Sequence, residues 1–154
     1  MVGKLRGADI LARSLSIAGA ARLFTLSGNQ IMPVFDACIE TGTELIHVRH
    51  EAAAVHMADA WGRLTGEPGV ALVTAGPGLA NSLSALYVAM MAESPMVLLS
   101  GHAPRAQLGR GAFQEMAQAE MAEHVTKASW TASEASLLGH DLARALTHLF
   151  CPLG

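Results

Sequence analysis

The chain has 154 residues, 51% hydrophobic and 15% charged, with a formal net charge of −3. That length suits one domain burying about 70% of its unfolded surface, and so apolar a composition argues against disorder. The small negative charge, without a lysine or arginine cluster, argues against a nucleic-acid partner or an anionic membrane surface.

In chain order, the opening MVGKLRGADILARSL distributes its charges through an amphipathic pattern and lacks the uninterrupted apolar stretch of a signal peptide. Ala8 to Ile17 is predicted as a helix, with Ile10, Leu11, Ser14, Leu15 and Ala18 on its buried side. Arg22 to Leu26 reads as a strand ending in the turn SGNQ, followed by a helix over Pro33 to Glu40 that stops near Gly42. Leu45 to Val48 is the next strand, and a helix opens at once on Glu51.

GVALVTAGPG is a continuous apolar strand running into a glycine turn, with LANSLSALYVAMMAE as the helix behind it. PMVLLSG is another buried strand, followed by the loop APRAQLGRGAFQ and a short helix from Met116 to Glu123. VTKASW reads as a strand, and Glu134 to Phe150 as the last helix. Wholly apolar strands alternating with helices predict a three-layer α/β/α domain with a mainly parallel sheet of about five or six strands. Ligands of such sheets sit beyond the carboxyl ends of the strands, where SGNQ, RHE and AGPGLAN converge. No apolar stretch is long enough to span a membrane. Cys38 and Cys151 share no ligand spacing and read as reduced thiols of a cytoplasmic protein.

Glycines between a strand and a helix let the backbone approach a ligand, and the helix amides can face an anion. A tight structural turn is an equally good reading of TAGPGLAN taken alone. A dinucleotide fingerprint fits poorly, because Asn81 stands where a third glycine is needed and Ser100 and Gly101 where an acid is needed. Glu51 could be no more than a charge favoured by the helix dipole, worth about 0.3–1 kcal/mol. However, Ala52, Ala53, Ala54, Val55, Met57, Ala58, Ala60 and Trp61 make its helix apolar nearly all round, so the acid is expected to be buried and suited to proton transfer. Asp59 and Arg63 are spaced to pair on the wet face. His47, His50 and His56 lack a matching carboxylate or cysteine offset, so no metal ligands are assigned.

RHEAAAVHMADAWGRLTGEPGVALVTAGPGLAN, then PMVLLSGHAP, GAFQEM and TKASW, resemble the N-terminal pyrimidine-binding domain of thiamine-diphosphate-dependent enzymes. The likeness is to the acetolactate synthase, oxalyl-CoA decarboxylase and 2-hydroxyacyl-CoA lyase branch. It rests on a glutamate opening a helix, G-R-x-T-G closing it and G-P-G-x-x-N one strand later, and it runs from about Gly7 to about Phe150. The resemblance implies that Glu51 hydrogen-bonds N1′ of the cofactor's aminopyrimidine and favours the imino tautomer that takes the thiazolium proton. It places Thr74, Gly76, Pro77 and Asn81 along the pyrimidine pocket. Gly28, Asn29 and Gln30 lie near the reacting carbon, and Phe113 and Gln114 face the substrate across a dimer, Gln114 joining Glu51 as a catalytic residue.

Family members are several times longer, and the diphosphate domain that holds Mg²⁺, like the central domain, has no counterpart in residues 1–154. They also continue past the last helix into a further strand, where this sequence has FCPLG, so a sheet edge is expected to be open. The expectation is one pyrimidine-binding domain, a fragment or split subunit silent alone, that forms a homodimer or joins a diphosphate-binding chain and handles a small keto acid or acyl-CoA. The alternative is a non-catalytic interaction or regulatory module that keeps the fold.

Overall fold

A computed structural model describes residues 5–150. These residues hold seven α-helices and four strands, in chain order α1 (Gly7–Ile17), β1 (Arg22–Thr25), α2 (Met32–Thr41), β2 (Glu44–His47), α3 (Glu51–Thr65), β3 (Gly69–Val73), α4 (Pro77–Ala80), α5 (Leu83–Met91), β4 (Met96–Ser100), α6 (Gln118–Glu123) and α7 (Leu138–Leu149). The strands form one parallel sheet in the order β2-β1-β3-β4. This is the α/β class expected from the sequence, with four strands among the described residues. The strand read into VTKASW is not formed; residues 125–130 follow α6 as turns and irregular backbone. Cys151, with the rest of FCPLG after Phe150, lies outside the described residues.

Alternation along the strands supplies two cores. Leu23, Val70 and Leu72 face one side and pack with Ala12, Leu15, Ala37, Cys38 and Leu142 from α1, α2 and α7. Phe24 and Ala71 face the other, against Ala54, Val55 and Ala58 of α3 and Ala85 and Leu86 of α5. β3 is buried along its whole length because helices cover both its faces. On α1 the deeply buried positions are Ala12 and Leu15, whereas Ala18, expected inside, is exposed at the cap.

Small residues set the spacing of layers. A side chain at Gly69 would collide with the carbonyl of Ala58, and one at Gly62 would lie 2.6 Å from the carbonyl oxygen of Pro95. α3 therefore sits directly on the starts of β3 and β4. It ends at Gly66, whose φ of 74° is the left-handed conformation that closes a helix. α3 also departs from the all-round apolar cylinder expected from its composition: Met57 and Leu64 are exposed, and the inward face carries a second acid, Asp59. Asp59 is 1% exposed rather than on the wet face, and accepts from Ser94 and from Arg63. Sequence spacing identified the Arg63 partner; the Ser94 hydroxyl, delivered by the turn before β4, is what draws the carboxylate inward.

Candidate functional site

β1 pairs with β2 on one side and with β3 on the other. The chain's path therefore reverses direction across the sheet between β1 and β3, the point beyond whose carboxyl ends parallel α/β sheets hold their ligands in a crevice. The segment after β1 carries Gly28 in extended backbone and a single turn of 3₁₀ helix, Asn29–Ile31. The segment after β3 is Thr74-Ala75-Gly76. The two meet where the Thr74 hydroxyl donates to Gln30 Oε1 at 2.7 Å. A Cβ at Gly28 would overlap the Thr74 side chain, so glycine there is a condition of the contact.

Glu51 follows β2 as the first residue of α3. His50 precedes it in extended conformation, and its Nδ1 accepts from the Ala52 amide. The helix thus begins with a ring capping the free amide and the carboxylate turned inward. Glu51 is 8% exposed. Its Oε2 accepts from Asn81 Nδ2 at 3.0 Å, while Oε1 takes no hydrogen bond among the described residues. A Cβ at Gly78 would lie 2.8 Å from Thr74 Cγ2 and 3.7 Å from Glu51 Oε1. Glycine at position 78 is thus what lets the turn pass this close to the Thr74 methyl group beside the acid.

The GPG turn is built for shape rather than for gripping an anion. Gly76, at φ 62°, adopts a conformation open to glycine, and a Cβ there would stand 2.9 Å from the carbonyl oxygen of Gln114. Its amide donates to Gln118 Oε1 at 2.8 Å, and the Gly78 and Asn81 amides donate to Ala75 and Pro77. The amides of Gly76, Gly78, Ala80 and Asn81 are therefore already committed, the first to α6 and the others within the turn. Helix α4 is one turn long, and Asn81 lies at its end with its amide on Glu51.

The site residues read from the sequence fall into two groups. Glu51 with Asn81, Thr74 with Gly28 and Gln30, and Gly76 with Gln114 are brought together. Asn29, Pro77 and Phe113 are exposed, Phe113 at 71%, so within one chain its ring faces outward. Gln114 has a φ of 61°, a strained conformation for a side-chain-bearing residue. The adjacent Glu115 imposes that path: its carboxylate accepts from the amides of Gly109 and Ala112, and these bonds hold its pKa below the ordinary glutamate range.

Sequence reading missed Gln118. It is 5% exposed and ties three segments: Oε1 accepts from Gly76, and Nε2 donates to Ser100 Oγ and to the Gly101 carbonyl, both at 2.9 Å. The available signal was its spacing from Ala122, which places a glutamine on the apolar side of α6.

A parallel α/β sheet with a buried glutamate at one strand end and a glycine-flanked threonine at the next defines a cofactor-binding class. Residues 5–121 match the family described as "Thiamine pyrophosphate enzyme, N-terminal TPP binding domain", and the chain belongs to it. Among relatives, the chain is 39% identical to the acetolactate synthase large subunit IlvG of Mycobacterium tuberculosis over 137 residues, which are 89% of this chain and 25% of that one. It is 44% identical to 2-hydroxyacyl-CoA lyase 2 of Danio rerio over 121 residues, 79% of this chain and 20% of that one. With the acetolactate synthase isozyme 3 large subunit of Escherichia coli it shares 37% identity over 142 residues, 92% and 25% of the two chains. The chain thus spans a fifth to a quarter of the length of these relatives.

Proposed function

We propose that the crevice holds the aminopyrimidine of thiamine diphosphate, and that this domain is part of an enzyme acting on a small keto acid or acyl-CoA. The observation that carries this reading is Glu51. It is a buried carboxylate whose Oε2 is oriented by Asn81 and whose Oε1, on the side of Gly78, takes no hydrogen bond among the described residues. A flat heterocycle whose basic ring nitrogen shares a proton with the carboxylate suits this site better than a phosphate, because the carboxylate repels an anion and the Gly76, Gly78 and Asn81 amides are already bonded. Acetolactate synthase and hydroxyacyl-CoA lyase relatives support the substrate class.

Bound thiamine diphosphate supplies an electron sink beside a substrate carbonyl. This chain's residues bind and orient. Glu51 Oε1 holds a proton against the ring nitrogen, Asn81 fixes the carboxylate, and Thr74, Gly76, Pro77 and Gly78 shape the wall. Gly28, Asn29, Gln30, Phe113 and Gln114 lie on the loops facing substrate, Phe113 reaching toward a second subunit. Mg²⁺ and the diphosphate belong to a separate domain or chain, so the isolated domain turns nothing over. Tyr87, Val88 and Met91 on α5, with Met57 on α3, expose an apolar surface suited to a dimer. Reduced thiols fit a cytoplasmic setting.

The test is an NMR titration with 4-amino-5-hydroxymethyl-2-methylpyrimidine, an analogue of the cofactor's ring. Shifts should cluster at Glu51, Thr74 to Asn81 and Gln30, and vanish in Glu51→Gln. Scattered shifts, or an unchanged response in the variant, would overturn the assignment and leave a fold retained for interaction alone.

A further inference from the structure

His47, His50 and His56 flank Glu51, and among the described residues one of the three engages the backbone through its ring. His47 meets the Phe35 ring nearly at right angles, 5.5 Å between centroids, and His56 is exposed. His50 heads α3: its ring accepts from the Ala52 amide at 3.2 Å, and its carbonyl accepts from the Ala53 amide at 3.0 Å. A single residue therefore takes both amides that follow Glu51.

The first turn of a helix leaves amides without intrahelical partners and carries the positive end of the helix dipole. A flexible carboxylate at the first helical position is attracted to both, and a glutamate bent back over its own helix is lost to the crevice. Glu51 is not bent back. It is buried, and its Oε2 accepts from Asn81 Nδ2 at 3.0 Å instead. With the Ala52 and Ala53 amides already bonded, the helix head offers the carboxylate little that competes with Asn81. The chemistry of the cap suits its neighbour. An amide N–H is accepted by an unprotonated ring nitrogen, so this cap requires a neutral imidazole with its proton on Nε2. Such a ring accepts without charge, whereas an aspartate cap would set a second anion beside the carboxylate.

We propose that His50 is a positioning residue: by occupying the amides at the head of α3, it releases the Glu51 carboxylate to Asn81 and to a ring in the crevice. His50 itself touches no ligand; it acts through Glu51. The consequence for binding rests on the cofactor reading given above, while the consequence for the free protein does not. Any neutral side chain that caps the Ala52 amide should serve in its place, and one that cannot cap should not.

The experiment is NMR on the full chain. Long-range proton–nitrogen spectra of the wild type should show the neutral His50 ring as the Nε2–H tautomer; the Nδ1–H form would overturn the proposal. In His50→Ala the Ala52 amide should exchange at least about tenfold faster, and the Asn81 side-chain amide resonances should move as Glu51 leaves them. His50→Asn, a neutral cap, should restore both. Titrated with 4-amino-5-hydroxymethyl-2-methylpyrimidine, His50→Ala should bind about three- to tenfold more weakly than wild type, the equilibrium worth of a lost helix cap, and His50→Asn should return to within about twofold. Unmoved Asn81 resonances in His50→Ala, undiminished binding by it, or an asparagine variant as impaired as the alanine one would each overturn the proposal. If the wild type takes up no pyrimidine, the cofactor reading of Glu51 fails, and the Asn81 resonances still decide whether His50 positions the carboxylate.

Discussion

Replacing Gln118 by alanine removes the acceptor for the Gly76 amide and the donor to the Gly101 carbonyl, both inside the fold, together with the bond to Ser100 Oγ. Ser100 keeps a second partner in the Thr74 carbonyl at 3.1 Å, so the cost is concentrated in the two stranded backbone groups. A buried polar group left unpaired costs about 1–3 kcal/mol, and partial rescue by water brings the total to roughly 2–4 kcal/mol. For a chain of this size, each kcal/mol lowers Tm by about 2–4 °C, so Gln118→Ala should melt roughly 5–15 °C below wild type. Circular dichroism with urea titration measures this, and exchange at the Gly76 amide localises it.

Gln118→Glu sharpens the argument. The neutral acid can still donate, but the carboxylate cannot and faces the Gly101 carbonyl. Its pKa in the folded chain should therefore rise, so its contribution is present at low pH and lost as pH climbs through that value. A Gln118→Ala protein within about 0.5 kcal/mol of wild type would refute the reasoning. So would a glutamate variant as stable as wild type at neutral pH.

Gly28→Ala drives a methyl into Thr74 and should cost about 1–3 kcal/mol, with the Thr74–Gln30 bond lost; urea midpoints and the Gln30 amide resonances check both. Glu115 has a lowered pKa through the Gly109 and Ala112 amides. Its hold on the 109–115 loop is therefore complete above the ordinary glutamate pKa and lost as pH falls through the depressed one. Amide exchange at Gly109 across the acid range tests this, and Glu115→Gln should weaken the hold at every pH. Burial pushes the Cys38 thiol pKa up, offset in part by Thr43. In a Cys151→Ser background a disulfide reagent should label the folded chain at least about tenfold more slowly than the urea-unfolded one.

The elements that sequence reading recovered are those whose signal is local. GVAL and PMVLL are strands because uninterrupted apolar runs belong in a two-faced sheet, and Gly42 and Gly66 end their helices through their own backbone freedom. Distant partners account for the departures. Asp59 is drawn inward by Ser94, 35 residues away, and Gln118 is fixed by Gly76, 42 residues away. The helix read as one piece over LANSLSALYVAMMAE breaks before Leu83: Asn81 turns to Glu51, and Ser82 donates to the Gly78 carbonyl. VTKASW has a strand's composition, but strand formation needs a ladder partner, and β4 stands across a groove from it.

The crevice borrows from four stretches of chain, around Gln30, Glu51, Thr74 and Gln118, each anchored to a different secondary element. None of them owns it. A molecule seated there would clasp separate layers simultaneously, so its grip should register as heat resistance of the entire domain rather than as quieting of a single flap.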